Sequence, residues 1–324
     1  AAIFAGLPKS VACTTVNKVC GSGMKATMLG AQSIETGESE IVVSGGMENM
    51  SQVPYYLTNA RAGYRMGNAP VVDGMIHDGL WDVYNNFHMG NAAELCVKEM
   101  KFTREEQDQF SIESFKRAQA AIAGGKFKNE IAAIQIPQKK GDPLSFDTDE
   151  GPGKAQFEKM PGLKPVFDKA GTITAANAST INDGAAALVL ASEDAVKKNG
   201  LKPLARIVAY TNHAQAPEWF TTAPVEAIRK LYKKTGWDSD SVDLFEINEA
   251  FAVVAMAAMK ELKLDHKKVN VFGGAVSLGH PIGASGARII VTLVHALKTL
   301  GKKRGVAGIC IGGGEATAIA VELV

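Results

Sequence analysis

Apolar residues along this chain follow two rhythms. Short apolar runs bounded by glycine or turn residues lie at 11–19, 41–43, 185–191, 206–210, 242–247, 269–272, 305–311 and 316–324, and each reads as a strand. Stretches with helical spacing fall at 24–34, 192–198, 225–232, 250–262 and 285–300. Gly37 and Gly301 stand where helices should stop, and Pro224 suits a first helical turn. Strands alternating with helices predict an α/β protein. From 51 to 170 the pattern breaks into turn residues, charge and scattered aromatics. Within it only 103–123 reads clearly as a helix, because Thr103-Arg104-Glu105-Glu106 resembles a capping box. Residues 137–165, rich in proline and glycine, read as a loop of the kind that carries binding or lid functions.

A weak repeat runs through the two ends. Cys20-Gly-Ser-Gly opens a helix that leads to a strand ending in VVSGGMEN (42–49). GHPIGASG (279–286) likewise opens a helix that leads to a strand ending in ICIGGGEAT (309–317). Two related α/β halves facing each other would produce this pattern.

Composition narrows the function. The chain has 324 residues, enough for about two domains or one large one. Its formal charge of +1 gives no field for nucleic acid or an anionic membrane, and no apolar run reaches the length of a membrane span. Residues 1–9 lack the features of a signal peptide, and the missing initiator methionine suggests that the natural N-terminus lies upstream. Cys13, Cys20, Cys96 and Cys310 form no CxxC pair and have no partners at metal spacing, so no metal site is expected. They are too sparse for a disulfide scaffold and read as free thiols in a reducing, cytoplasmic setting.

Four short segments carry candidate chemistry. Cys20 follows a strand-like run and opens a helix, where the positive end of the macrodipole favours a thiolate nucleophile. Gly21 and Gly23 would permit a tight turn and close approach of substrate. His280, just before a helix, suits proton acceptance or donation to an oxyanion. Cys310 ends a strand and runs into Gly312-Gly313-Gly314, whose backbone N–H groups could form an oxyanion hole, while the thiol suits proton transfer at carbon if its pKa is tuned near neutrality. Asn248 is a natural N-cap for the following helix, or a group that holds a water or donates toward a carbonyl. Taken singly, each of these residues also has a purely structural reading: a buried thiol, a satisfied loop histidine or a cap.

In order, CGSGM, NEAFA, GHPIGASG and CIGGG closely resemble the thiolase family across essentially the whole chain. The resemblance implies a thiolase fold: two related βαβαβαββ halves with mixed five-stranded sheets, layered α/β/α/β/α, with an inserted loop domain and an incomplete start. The halves would be 1–50 with 171–200, and 201–324, with 51–170 inserted. It implies that Cys20 is acylated, that His280 activates it, and that Asn248 positions a water in the same oxyanion hole. Cys310 would exchange a proton with the α-carbon of a second acyl-CoA. The N–H groups of Cys20 and Gly312 would form the second hole. Coenzyme A would be substrate and product, with no resident cofactor, and the assembly a homodimer or homotetramer.

His88-Met89-Gly90 resembles the biosynthetic, short-chain branch, which condenses two acetyl-CoA to acetoacetyl-CoA. On that resemblance Leu80, His88 and Met89 line or roof a small acyl pocket. Ala175 and Ser179 lie near the pantetheine, and Phe220 and Phe251 lie along the tunnel, although simple core packing also explains both phenylalanines. EGPGK (150–154) departs from the family by lacking an arginine at the phosphate-contacting stretch. The rivals are a degradative 3-ketoacyl-CoA thiolase, a β-ketoacyl synthase with one cysteine and two histidines, and an inactive fragment or acyl-CoA binding protein.

Overall fold

A computed structural model describes all 324 residues. A 3-10 turn at Val19–Gly21 leads into helix α1 (Ser22–Glu35) and strand β1 (Ile41–Glu48). The chain then leaves this sheet. It forms three small ribbons, β2 (Tyr55–Tyr56) with β3 (Val72–Asp73), β4 (Trp81–Asp82) with β5 (Phe87–His88), and β6 (Ile134–Ile136) with β7 (Leu144–Phe146). Between the second and third ribbons lie helices α2 (Met89–Met100) and α3 (Arg104–Ala123). The chain returns as β8 (Gly184–Ala191), antiparallel to β1 with Val43 opposite Val189. There follow α4 (Glu193–Lys198), β9 (Ala205–Ala214), α5 (Ala223–Thr235), β10 (Leu244–Ile247), α6 (Ala252–Leu262), α7 (Ala275–Leu278), α8 (Ile282–Leu300), β11 (Arg304–Ile311) and β12 (Glu315–Leu323).

The C-terminal sheet has the order β10-β11-β12-β9; β10 and β11 are parallel and the other pairs antiparallel. Helix α8 contacts both sheets and lies against α1, so these two helices form the central layer. Ile289, Ile290, Leu293 and Leu297 on α8 are fully buried, each contributing about 1.5–3 kcal/mol. The repeat seen in the sequence is structural: α1 leads into β1, which pairs with β8, as α8 leads into β11, which pairs with β12. No helix is long and apolar enough to cross a membrane.

Several expectations need correction. Residues 11–19 form no strand; they are mostly exposed and have no ladder partner to hold an extended backbone. Residues 269–272 make only isolated bridges, from Val269 to Phe245 and from Val271 to Gly273. The two sheets therefore have two and four strands rather than five each. One face of the β1–β8 pair is exposed, with Val43 at 52%, Met47 at 67% and Val189 at 69% exposure. Helix α2 was missed, although Met89, Ala92, Ala93, Cys96 and Val97 follow helical spacing and are buried. Helix α3 carries the expected capping box: Thr103 Oγ1 accepts from Glu106 N at 3.1 Å and Thr103 N donates to Glu106 at 2.7 Å.

Gly23, expected to permit a tight turn and substrate approach, instead meets Gly286 and its neighbours in a helix contact. A Cβ on Gly23 would lie 2.7 Å from Ala287 N, and one on Gly286 would lie 2.5 Å from Met24 N. The backbones of α1 and α8 touch there, and no side chain fits between them. Gly23→Ala and Gly286→Ala should each lower stability by about 1–3 kcal/mol through overpacking. Gly153→Ala, where a Cβ meets nothing within 4 Å, should be near neutral. Denaturant unfolding of the three variants beside the parent chain checks this.

Candidate active site

The start of α1 sets the position of Cys20. Val19 has φ +47, a left-handed conformation costly for a β-branched residue. It is held there by local bonds: Val19 N donates to Asn17 Oδ1 at 2.9 Å, Lys18 N donates to Ser22 Oγ at 2.9 Å, and Ser22 Oγ donates to Val19 O at 2.7 Å. An ion pair from Lys18 to Glu315 ties the turn to β12. Cys20 follows, partly exposed as a residue and unbridged.

The backbone N–H groups of both Cys20 and Gly312 point to the Cys20 sulfur. These are the two donors expected in one oxyanion hole, and they converge from the two halves of the fold. Gly312 lies in the β11–β12 turn, where Gly313 (φ +92) and Gly314 (φ +84) adopt backbone that a side chain would strain. Cys310, buried near the end of β11, is close enough for a negative charge on Cys20 to raise its pKa.

His280 is buried between α7 and α8. Its Nδ1 lies 2.6 Å from Ser285 Oγ and 3.5 Å from Asn248 Nδ2, while its buried Nε2 has no partner. Asn248 follows β10, donates its backbone N–H to Gly308 O at 3.0 Å, and leaves a buried Oδ1 unpaired. It is not an N-cap. Helix α6 starts later, with Phe251 at the N-cap position and no side-chain cap, because the chain bends at Ala250 and Phe251 is held in a bridge to Ala178.

Electrostatics correct a second expectation. The macrodipole at α1 does not win at Cys20: burial pushes the thiol up to about 11, outweighing the two N–H donors, and Glu48 adds to the rise. Burial also pushes Cys310 well up rather than toward neutrality. His280 is pushed down to about 4, first by burial and then by Arg288. At neutral pH the resting site therefore holds two thiols and a neutral imidazole, not a thiolate–imidazolium pair.

The acyl-pocket candidates gather around one aromatic wall. His88 caps α2, its Nδ1 accepting from Gly90 N at 3.0 Å, and stacks on Phe167 with ring centroids 4.7 Å apart. Phe167 meets Phe251 edge-on at 6.0 Å, and Phe251 lies 6.4 Å from Phe220. Met89 Sδ lies 3.2 Å from where a Gly312 Cβ would be, which brings the wall to the glycine turn. Phe220 and Phe251 also belong to the largest apolar core, so their packing reading holds as well. Leu80 is half-buried at the end of the 76–80 turn, beside Gly79, which approaches Ile282 of α8. Ala175 is exposed, and Ser179 is half-buried with its N–H on Ala250 O at 3.0 Å. Their loop is clamped by buried Glu94, which accepts from Thr172 N and Ile173 N at 2.8 and 2.7 Å, and by Asn177, which bonds Asp108 at 3.0 Å.

Sequence reasoning missed Phe167, Ser285, Glu48 and Glu249. Phe167 looked like an isolated aromatic in the irregular stretch. Glu48 lies in the quoted VVSGGMEN segment, and its carboxylate accepts from Gly283 N at 2.9 Å at the start of α8. Glu249 lies inside NEAFA. It is fully buried and accepts from Asn270 Nδ2 (2.8 Å), Ser114 Oγ (2.8 Å) and Val276 N (3.1 Å), which joins the Asn248 turn to the segment that leads to His280. No group of three or more histidine, cysteine or acidic side chains could hold a metal ion.

Paired α/β halves whose N–H donors converge on a cysteine, with a buried histidine at the start of α8, fit a cysteine-dependent enzyme. The thiolase N-terminal domain profile matches residues 1–194 and the thiolase C-terminal domain profile residues 201–323. An acetyl-CoA acetyltransferase of Cupriavidus necator is 53% identical over 99% of this chain and 82% of its own length. One of Schizosaccharomyces pombe is 52% identical over 100% and 82%. Among solved structures, an Ascaris suum thiolase in complex with coenzyme A has a TM-score of 0.94 and 47% identity, covering 99% of this chain and 82% of its own. The Bacillus anthracis acetyl-CoA acetyltransferase has a TM-score of 0.96 and 44% identity, covering 100% and 82%. The chain belongs to the thiolase family.

Next to the site lies a buried carboxyl. Glu246, two residues before Asn248, is fully buried; burial pushes it up to about 8, with Arg288 opposing at 3.7 Å. A carboxyl raised from about 4.5 keeps its proton in the folded chain and loses it on unfolding near neutrality. Its contribution to stability is thus present below about pH 4.5 and is lost as pH rises through about 8. Glu246→Gln should remove this loss, gaining a few kcal/mol over the parent at pH 8 and little at pH 5. Unfolding midpoints measured across that range check the sign.

Proposed function

We propose that this chain is an acyltransferase that condenses two acetyl-CoA into acetoacetyl-CoA and CoA, and catalyses the reverse cleavage. The carrying observation is the convergence of the Cys20 and Gly312 N–H groups on the Cys20 sulfur, with Cys310 within electrostatic reach. A neutral His280 supports a general-base role, since only the unprotonated imidazole can accept a thiol proton.

In the first half-reaction His280 Nε2 takes the Cys20 proton as sulfur attacks the acetyl-CoA carbonyl. The tetrahedral oxyanion collapses, the bond to CoA sulfur breaks, and the Cys310 thiol protonates the leaving CoA. Acetyl-Cys20, an imidazolium and a Cys310 thiolate remain. In the second half-reaction Cys310 removes a proton from the methyl carbon of another acetyl-CoA. That carbon attacks acetyl-Cys20, a carbon–carbon bond forms, and the bond to Cys20 sulfur breaks. The Cys20 thiolate recovers its proton from the imidazolium. The burial that raises both thiols keeps them protonated until each is needed, and the N–H pair stabilises the oxyanion at the acyl group on Cys20. A hole of this kind is worth about 2.7–4 kcal/mol per donor. Asn248 and the Nε2 of His280 serve the thioester oxygen of the second acetyl-CoA. The wall of His88, Met89, Phe167, Phe220 and Phe251 supports a short acyl group and CoA as the bound carrier.

CoA-dependent cleavage of acetoacetyl-CoA tests this, with 3-ketohexadecanoyl-CoA as the long-chain comparison. The parent chain should cleave the short substrate far better. Cys20→Ala should abolish cleavage, and Cys310→Ala should lower kcat by about 10²–10⁴ while leaving acetylation of Cys20 by acetyl-CoA detectable by mass spectrometry. Comparable cleavage of the long substrate would transfer the assignment to the degradative branch.

A further inference from the structure

We propose that Ser285 is the positioning residue that fixes the tautomer of His280, keeping the proton on Nδ1 and the lone pair on Nε2. Ser285 Oγ lies 2.6 Å from His280 Nδ1 and 3.0 Å from Pro281 O. The hydroxyl has one proton to give and lone pairs to receive with. A carbonyl oxygen can only accept; Pro281 O already accepts from Ala284 N and Ser285 N at 2.9 Å each, and the hydroxyl joins them as a third donor, the usual bond of a helical serine back to the carbonyl four residues earlier. The imidazole must then supply the proton in the shorter contact, and Nδ1 is the donor. The opposite tautomer would turn the hydroxyl toward Nδ1 and give up the bond to Pro281 O.

The other neighbour does not compete. The Asn248 amide nitrogen, at 3.5 Å from Nδ1, lies beyond the range of a strong hydrogen bond. No carboxylate bonds to the ring; its side-chain partners are Asn248 and Ser285. Ser285 is fully buried in the first turn of α8, so its rotamer is fixed by packing and by the backbone carbonyl one turn back. It occupies the place that an aspartate holds in a Ser-His-Asp triad, orienting the imidazole without adding a charge. A carboxylate there would raise the histidine's pKa and favour a charged imidazole at rest, whereas a hydroxyl orients the ring and leaves it neutral. Gly283 and Gly286 flank this turn because neighbouring backbone lies against both, so Ser285 is carried on a part of α8 that cannot slide.

The consequence for catalysis rests on the proposed role of His280 as the base for Cys20. The test therefore separates the two. ¹⁵N-histidine-labelled chain, with the His280 signal assigned by loss in His280→Gln, reports the tautomer directly at pH 7. The parent should show protonated Nδ1 and bare Nε2. Ser285→Ala should shift the ring toward protonated Nε2 and lower kcat for acetoacetyl-CoA cleavage by about 10–100-fold, with KM for CoA changed less than about twofold. A protonated Nε2 in the parent overturns the proposal, whether or not any variant folds. So does a Ser285→Ala ring that keeps its proton on Nδ1. A shifted tautomer with unchanged kcat would uphold Ser285 as the lock and overturn His280 as the base.

Discussion

The contact between the backbones of α1 and α8 at Gly23 and Gly286 organises the rest of this protein. Each helix begins at one half of the candidate site. Cys20 lies three residues before Gly23 and His280 six residues before Gly286. At a 1.5 Å rise per residue, a crossing so close to both N-termini leaves little freedom for the two residues to separate. A methyl group at either glycine would push the helices apart and the reacting groups with them. The glycine pattern is therefore less about flexibility than about approach, and the helices' long apolar faces hold the approach closed.

The central pair also explains why the site is electrostatically quiet. Cys310 and His280 are buried and Cys20 is half-buried where the two halves meet, and desolvation is the largest cause of every shift among them. Burial raises the thiols and lowers the imidazole, so all three are neutral together. Charge can then develop only in steps that the surrounding donors stabilise. Glu249 shows the complementary device. It is a buried carboxyl held by three donors, which binds the Asn248 turn to the segment before His280 without touching the reacting groups.

Much of this was legible in the sequence, for identifiable reasons. The alternation of strand and helix, the repeat and the capping box at Thr103 are local patterns, and local patterns survive folding. Cys20, His280 and Cys310 stood out because each sits at the end of an element near glycine, and Asn248 because it follows the end of a strand. Residues 11–19 failed because apolar content alone cannot make a strand without a partner. Helix α2 failed because its neighbours are irregular, although its own spacing was regular. Phe167 and Ser285 failed for a deeper reason: their importance lies wholly in contacts with distant or differently oriented groups. Of the two readings open for Asn248, the cap fails although the residue type suits it, because the helix starts only after Phe251.

The pKa corrections have the same origin. From the sequence, a thiol at a helix start implies a thiolate, because the macrodipole is a property of the helix alone. Its effect is about 0.3–1 kcal/mol at exposed positions. Burial is a property of the whole fold, and a shift of two units corresponds to almost 3 kcal/mol, so desolvation decides the resting state at Cys20. A nucleophile with a high resting pKa must receive help at the moment of attack, and this makes the orientation of the accepting nitrogen on His280 decisive. The four-atom arrangement of Pro281 O, Ser285 Oγ, His280 Nδ1 and His280 Nε2 supplies that orientation from within one helical turn. The residue that carries the base and the residue that aims it thus move together, and the glycine contact with α1 carries both toward the thiol.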